Sequence, residues 1–324
     1  MAPPDPVNGA PSRSAHNVPL PTPSRLRNVG SMSHVPTVRT PAHAVGARPE
    51  GTPLRVHAPG SAPDIFSALP WRVLVSEPLT GVENMALDEA LMERARRTGE
   101  AVLRVYSWLR PTLSLGRNQW AAGHYDIARA EAAGVDIVRR PTGGRAVLHH
   151  HEVTYSVTAP AASMGTLRES YRCLNRLVLD ALQRLGASAE EAQASTATPA
   201  PGIAPCFDTP VQGEITAVGR KLVGSAQFRE RDAVLQHGSI LVEDDQWLAT
   251  SLLIDPAPPS PLVATLRALL GRSPDVREVA DALVAALRDA GGETPSPLNM
   301  DILLDEDAAR ARARYEDPSW TWRR

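Results

Sequence analysis

Arg139-Arg140-Pro141-Thr142-Gly143-Gly144-Arg145-Ala146-Val147-Leu148-His149 is the stretch from which the rest of the chain can be read. Paired glycines open backbone geometries closed to other residues and let a ligand approach the main chain. Exposed N–H groups at Gly143 and Gly144 could hold an acyl carbonyl or a phosphate. Arg139, Arg140 and Arg145 add positive charge on either side. A Gly-Gly pair taken alone marks an ordinary tight turn more often than a site, so the flanking sequence decides. Before it, residues 135–138 read as a strand. After it, Val153, Tyr155 and Val157 alternate with Thr154 and Ser156, which is strand periodicity.

Further upstream, residues 72–75, 101–108 and 112–115 read as strands, the last two separated by a turn at Pro111. Residues 84–97 form a helical pattern with Met85, Leu91, Met92 and Ala95 on one side and Gly99 beyond its end. A short helix suits 128–133. Downstream, a helix over 166–185 carries Leu174, Val178, Ala181, Leu182 and Leu185 as one stripe, with Gly186 at its end. A long loop over 187–213 holds Cys206. Then comes a hairpin, 215–218 and 221–228 about a Gly219-Arg220 turn, followed by a strand over 233–242. A last helix is expected over 274–290, with Ser273 as cap, Pro274 at the first helical position and Gly291 after its end. No internal repeat is visible. The expected class is α+β, with mixed or antiparallel β-sheets and helices packed on them. The expected organisation is a disordered proline-rich tail over 1–65, a catalytic domain over 66–256 and a helical C-terminal extension over 257–324. The tail reading rests on 13 of the 30 prolines and the lack of a periodic apolar pattern.

Composition excludes several classes. With 324 residues and 43% hydrophobic content, a substantial core can form. A formal net charge of -2 gives no basic field to draw nucleic acid or anionic lipid. No apolar run nears the roughly 18 residues of a membrane helix. Met-Ala-Pro-Pro-Asp lacks the layout of a secretory signal. Two cysteines make no disulfide framework, so a reducing cytoplasm is the expected location. Of the 34 basic residues, Lys221 is the sole lysine. A compact ammonium is not equivalent to a planar guanidinium, which makes Lys221 a functional candidate against a strong arginine bias.

Three other groups draw attention. Cys173 falls within a helix, where cysteine usually acts as a small buried hydrophobe. Cys206 sits in a loop between Pro205 and Phe207, where a thiol is reactive only if a cation favours thiolate. Lys221, 15 positions on, could supply that charge or could lie elsewhere. His149, His150 and His151 invite a metal reading, but no cysteine or second histidine cluster at zinc spacing supports it. A hydrogen-bonding role for one of them is preferred, and no metal is expected. No Walker A pattern or Gly-x-Ser-x-Gly elbow is present.

The opening stretch closely resembles the signature of the lipoate–protein ligase A and octanoyltransferase superfamily, related to biotin ligases. Asn84-Met85-Ala86-Leu87-Asp88-Glu89-Ala90-Leu91 resembles the family's first helix, and Ser114-Leu115-Gly116-Arg117-Asn118-Gln119 a following strand and turn. Gly219-Arg220-Lys221-Leu222-Val223-Gly224-Ser225-Ala226-Gln227 resembles the segment with the essential lysine. Leu235-Gln236-His237-Gly238-Ser239-Ile240-Leu241 resembles the next strand. These motifs span about residues 70–245 in the family's order. Pro205-Cys206-Phe207-Asp208 and Thr142-Gly143-Gly144-Arg145 look like the cysteine-dependent octanoyltransferases.

The resemblance implies a biotin/lipoate ligase-like catalytic domain that transfers octanoyl groups with Cys206 and Lys221 as catalytic residues. Arg139, Arg140, Thr142, Gly143, Gly144, Arg145, His149, Gly224, Ser225, His237 and Gly238 would bind substrate. The implied donor is octanoyl-acyl carrier protein. The implied acceptor is a lipoyl-domain lysine, as in glycine-cleavage H protein. No cofactor is needed for a thioester donor. The same motifs also fit an ATP-dependent lipoate ligase, using ATP and Mg with Lys221 on the acyl-adenylate, or a lipoyl amidotransferase. A non-catalytic acyl-carrier-binding module is the alternative outside enzymes.

Overall fold

The computed structural model describes residues 65–192, 213–255, 262–291 and 293–323. The tail expected over 1–65, apart from Ile65, and the loop segment carrying Cys206 lie outside the described residues.

The chain runs β1 (Trp71–Val75), α1 (Gly81–Thr98), β2 (Ala101–Tyr106), β3 (Thr112–Leu115), α2 (Ile127–Ala132), β4 (Asp136–Arg139), β5 (Val147–His149), β6 (Glu152–Pro160), α3 (Leu167–Arg184) and β7 (Glu190–Glu191). It continues with β8 (Ile215–Ala217), β9 (Arg220–Glu230), β10 (Ala233–Leu241), α4 (Trp247–Ser251), α5 (Leu266–Leu270), α6 (Val276–Gly291), β11 (Ser296–Pro297), α7 (Ile302–Glu316) and α8 (Pro318–Thr321). A mixed sheet has the order β11-β1-β2-β6-β10-β9-β8-β7, and a small sheet the order β4-β3-β5. The α+β class expected from the sequence is the one observed.

Local chemistry sets the element ends. Thr80 and Glu83 form a reciprocal capping box that starts α1, and Thr166 and Glu169 do the same for α3. The α3 stripe read from the sequence packs as expected. Leu174, Val178 and Leu182 join Val279, Leu283 and Leu287 of α6 and Val153, Val157 and Ile240 of the sheet in one apolar cluster. Ile65, placed with the tail by composition, is 1% exposed in that same cluster and so belongs to the core.

Two local expectations fail. The start of α6 is capped by Asp275, whose carboxylate accepts from the Glu278 N–H at 2.8 Å. Ser273 instead donates to Glu243, so neither it nor Pro274 starts the helix. A carboxylate two positions nearer the helix outcompetes the hydroxyl. The hairpin turn sits one residue earlier than expected, at Val218 and Gly219 with φ of 47° and 70°. Its strand therefore starts at Arg220, and Lys221 pairs with Thr216.

The opposite face of the large sheet carries α1. Leu87, Ala90 and Leu91 pack on Leu74 and Val102, and Met85 and Ala86 on Tyr106 and Trp108. The outer side of α1 takes α7, through Leu304 and Tyr315, with the Tyr315 hydroxyl donating to Glu89 at 2.7 Å. The site lies on this second face, between α1, the small sheet and strands β6, β9 and β10. Among the described residues no helix is long and apolar enough to cross a membrane.

Candidate functional site

The polar half of the alternation in β6 builds the site. Glu152, Thr154, Ser156 and Thr158 are as buried as the apolar residues between them. Buried polar groups must find partners, and three of the four do so within one network. Ser156 donates to Asp88 Oδ1 at 2.8 Å, and Arg104 Nη1 donates to the same oxygen at 2.9 Å. Asp88 Oδ2 accepts from the Tyr106 hydroxyl and from His237 Nδ1, each at 3.2 Å. Burial alone would raise the Asp88 carboxyl. Hydrogen bonds from His237 and Ser156 and the charge on Arg104 outweigh it, so the group sits below its ordinary value as a carboxylate. Burial pushes the His237 imidazole down, against the raising pull of Asp88.

An ionised carboxylate only accepts, so His237 carries its proton on Nδ1. Its Nε2 must then accept, and Thr142 Oγ1 lies 2.7 Å away as the donor. His149 repeats the pattern. Its Nδ1 is 2.8 Å from Glu152 Oε1 and its Nε2 is 2.7 Å from Ser114 Oγ. Arg140 joins the two relays: Nη1 donates to Ser114 Oγ at 3.1 Å and Nε to Thr142 Oγ1 at 3.2 Å. Each hydroxyl is thereby oriented to give its proton to an imidazole. The His237 ring faces a cleft as a neutral group of fixed tautomer, and His149 faces it with both ring nitrogens hydrogen-bonded.

The cleft together with the solvent at its mouth takes up ≈ 440 Å³. Apolar walls come from Met85, Tyr106, Trp108, Val147 and Ala226. Gly144, Gly224 and Gly238 expose backbone to it, beside Ser225, His149 and His237. Trp108 stacks on the His149 ring with centroids 4.1 Å apart, and its Nε1 donates to Thr154 at 2.7 Å. Two glycines are required by close approach. A Cβ on Gly116 would lie 1.9 Å from the Gly144 carbonyl oxygen. A Cβ on Gly238 would lie 2.5 Å from the Tyr155 ring and 2.8 Å from Ser225 Oγ. The Tyr155 hydroxyl bonds Ser225 at 2.8 Å and accepts from Gln236 at 2.7 Å, and burial pushes its pKa up to about 12.

Most residues singled out in the sequence converge here. Arg140, Gly144, His149, Gly224, Ser225, His237 and Gly238 all line the cleft, and Thr142 holds His237 from behind. Gly143 lends its carbonyl to Arg140 Nη2 at 2.7 Å, and the half-buried Arg145 lends its own at 2.8 Å. Arg139 turns the other way, into the protein. It donates to the carbonyls of Gly116, Gln119 and Thr321 at 2.6, 2.9 and 2.8 Å, tying the 116–119 turn and α8 to the motif. Lys221 is 2% exposed on β9, three positions before Gly224, and its ammonium meets Glu214 Oε1 at 2.7 Å. It is not among the residues lining the cleft. Cys206 lies outside the described residues. The described residues on either side of its segment are held together: Ala192 N–H donates to Glu214 O at 2.8 Å, and Asn175 donates to Gly213 O at 2.6 Å.

Sequence reasoning missed Asp88, Arg104, Tyr106, Trp108, Ser114, Glu152 and Glu214. One signal was present. Asp88 falls on the same helical face as Met85, Leu91, Met92 and Ala95, and an acid on a core stripe needs a buried partner.

A cleft with apolar walls, bare backbone and two positioned imidazoles can hold an apolar group with a polar end. Comparison with known proteins agrees. The model of the lipoyl protein ligase A/B catalytic domain matches residues 80–288. An octanoyltransferase LipM of Kyrpidia tusciae is 37% identical over 274 residues, covering 78% of this chain and 99% of its own. One from Carboxydothermus hydrogenoformans is 45% identical over 180 residues, covering 54% of this chain and 66% of its own. A putative lipoate protein ligase from T. acidophilum, solved with bound lipoic acid, shares the fold with a TM-score of 0.65 at 22% identity, covering 79% of this chain and 100% of that one. The chain belongs to the lipoyl protein ligase A/B catalytic domain family.

Proposed function

We propose that this octanoyltransferase works without ATP, through a thioester on Cys206, and modifies a lipoyl-domain lysine. In the first step the Cys206 thiolate attacks the carbonyl carbon of octanoyl-acyl carrier protein. A carbon–sulfur bond forms to Cys206, the bond to the carrier's pantetheine sulfur breaks, and that thiolate takes up a proton as it leaves. In the second step a neutral lysine amine of the acceptor attacks the same carbon. The amide forms, Cys206 leaves as thiolate, and the nitrogen loses its extra proton. Splitting the transfer this way replaces one hard step with two easier ones.

The observation that carries this reading is the cleft, with apolar walls for the tail and the Gly144, Gly224 and Gly238 backbone beside its polar end. Arg139 supports it by fixing the Gly116 turn, Arg140, Gly143 and Arg145 by shaping the loop, and Thr142 by orienting His237. Lys221, steadied by Glu214, supplies the positive field that favours thiolate and a developing oxyanion. The glycine-cleavage H protein has the acceptor chemistry required, and the cytoplasm is where donor and acceptor meet.

The test is transfer to an apo lipoyl domain under two conditions: octanoyl-acyl carrier protein without ATP, and free lipoate with ATP and Mg. Product in the first and none in the second is expected. The reverse pattern would make the chain a ligase.

A further inference from the structure

The turn between β5 and β6 carries two histidines that the acyl cleft does not use. The geometry points to His150, His151 and Asp245 as the ligands of one divalent transition-metal ion of the zinc class. Nδ1 of His150 and Nδ1 of His151 lie 2.9 and 3.3 Å from Asp245 Oδ2. All three donor atoms fall within 4.8 Å of one another. Tetrahedral zinc, with bonds of about 2.0–2.1 Å, places its ligand atoms about 3.3 Å apart; the His151 contact matches that spacing and the His150 contact is shorter. Two imidazoles and a carboxylate are a donor set for zinc, cobalt or nickel rather than for calcium or magnesium.

The scaffold holds these groups before any ion arrives. His151 O accepts from the N–H groups of both Val242 and Glu243 at 3.0 Å. Gln246 reaches back to Leu148 O at 2.9 Å, and the Glu152 N–H closes the turn onto His150 O at 3.0 Å. The two rings stack with centroids 3.8 Å apart, so one ring turns about its χ2 to bring both Nδ1 lone pairs onto a shared ion. The Asp245 side chain is 13% exposed, so little water competes for its oxygen, while His151 at 50% leaves a route from solvent. Each ring would bind through a bare Nδ1 with its single proton on Nε2, so the ion is gained with no oxidant or co-reactant. Zinc spacing along the chain could not reveal this set, because Asp245 lies 95 positions from His150.

The ion would bridge the 150–151 turn and the 242–246 segment on the flank of the cleft, one residue from His149. It is an added clamp, and the transfer chemistry does not need it. The test uses the full chain, free of any affinity tag and stripped with a chelator. Titration with zinc chloride by calorimetry should show one ion per chain. Affinity should fall at least tenfold in His151→Ala and in Asp245→Asn, and stay unchanged in His124→Ala. Cobalt(II) added to the unmodified chain should give a tetrahedral d–d spectrum without thiolate charge transfer. Absence of saturable binding, equal affinity in all variants, or a thiolate band that places the metal on a cysteine would each overturn the assignment.

Discussion

The two faces of β6 are buried to the same depth and hold together in opposite ways. On one face Val153, Val157 and Ala159 meet α3 and α6 through apolar contact. On the other, Glu152, Thr154 and Ser156 meet α1, the small sheet and β10 through hydrogen bonds to His149, Trp108, Ser239 and Asp88. The first face tolerates exchange of one hydrocarbon for another of like volume. The second leaves a buried charge or donor stranded when one member is lost. The cleft opens on the second face, so its floor is less forgiving of substitution than the apolar face.

The sharpest way to break this contrast is at Asp88. Asp88→Ala strands the fully buried Arg104 guanidinium and should cost about 3–5 kcal/mol in urea unfolding. Val157→Ala, on the apolar face, removes less and should cost roughly 1–3 kcal/mol for two buried methyl groups. Equal losses would show that the network adds nothing beyond packing.

A second test is catalytic. Lys221→Arg keeps the charge but cannot place a wide fork where an ammonium meets Glu214. Transfer should fall by about 10²–10³-fold in kcat, the usual effect of losing one oxyanion-stabilising group, with the fold intact by circular dichroism. Near-normal kcat would return the lone lysine to a structural role.

Acid sharpens the comparison further. His237 is pushed below its ordinary value, so between that folded value and about 6.5 the unfolded chain holds the extra proton. Stability therefore falls as pH drops below about 6.5. The depressed Asp88 carboxyl adds stability above about 4 that is lost as pH falls through its folded value. The thermal midpoint should decline from pH 7 to 5, and His237→Gln should flatten that part of the profile. A flat profile in the unmodified chain would contradict the neutral, buried imidazole.

The smallest effect belongs to the apolar side. Cys173, half-buried on α3 with its thiol pushed up by burial, packs against the cluster that includes Leu174. Cys173→Ser should leave transfer unchanged and cost about 1 kcal/mol or less, since the site is not fully closed. A large loss of transfer would give the wrong cysteine the central role.

These contrasts also separate what the sequence made legible from what it hid. Local periodicity and caps act over a few residues, so α1, α3, β3 and the strands β9 and β10 are legible in the sequence. The Gly143-Gly144 loop, His149, His237 and Gly238 were found through motif resemblance, and they converge on the cleft. Partners chosen by tertiary folding were invisible. His237 meets Asp88 across 149 positions, and Arg139 meets Thr321 across 182. Arg139 read as a substrate ligand because charge beside a Gly-Gly pair suggests an anion. Only the fold shows that its guanidinium reaches the backbone carbonyls of Gly116, Gln119 and Thr321. The early turn at Val218 and the Asp275 cap were missed because competing local signals lay one or two residues away.

The central claim is a thioester on Cys206, and intact-protein mass spectrometry tests it most directly. The enzyme is mixed with octanoyl-acyl carrier protein and no acceptor. A mass increase of one octanoyl group is expected, released by neutral hydroxylamine and absent in Cys206→Ala. No adduct, together with full transfer by Cys206→Ala from free lipoate and ATP, would contradict the account.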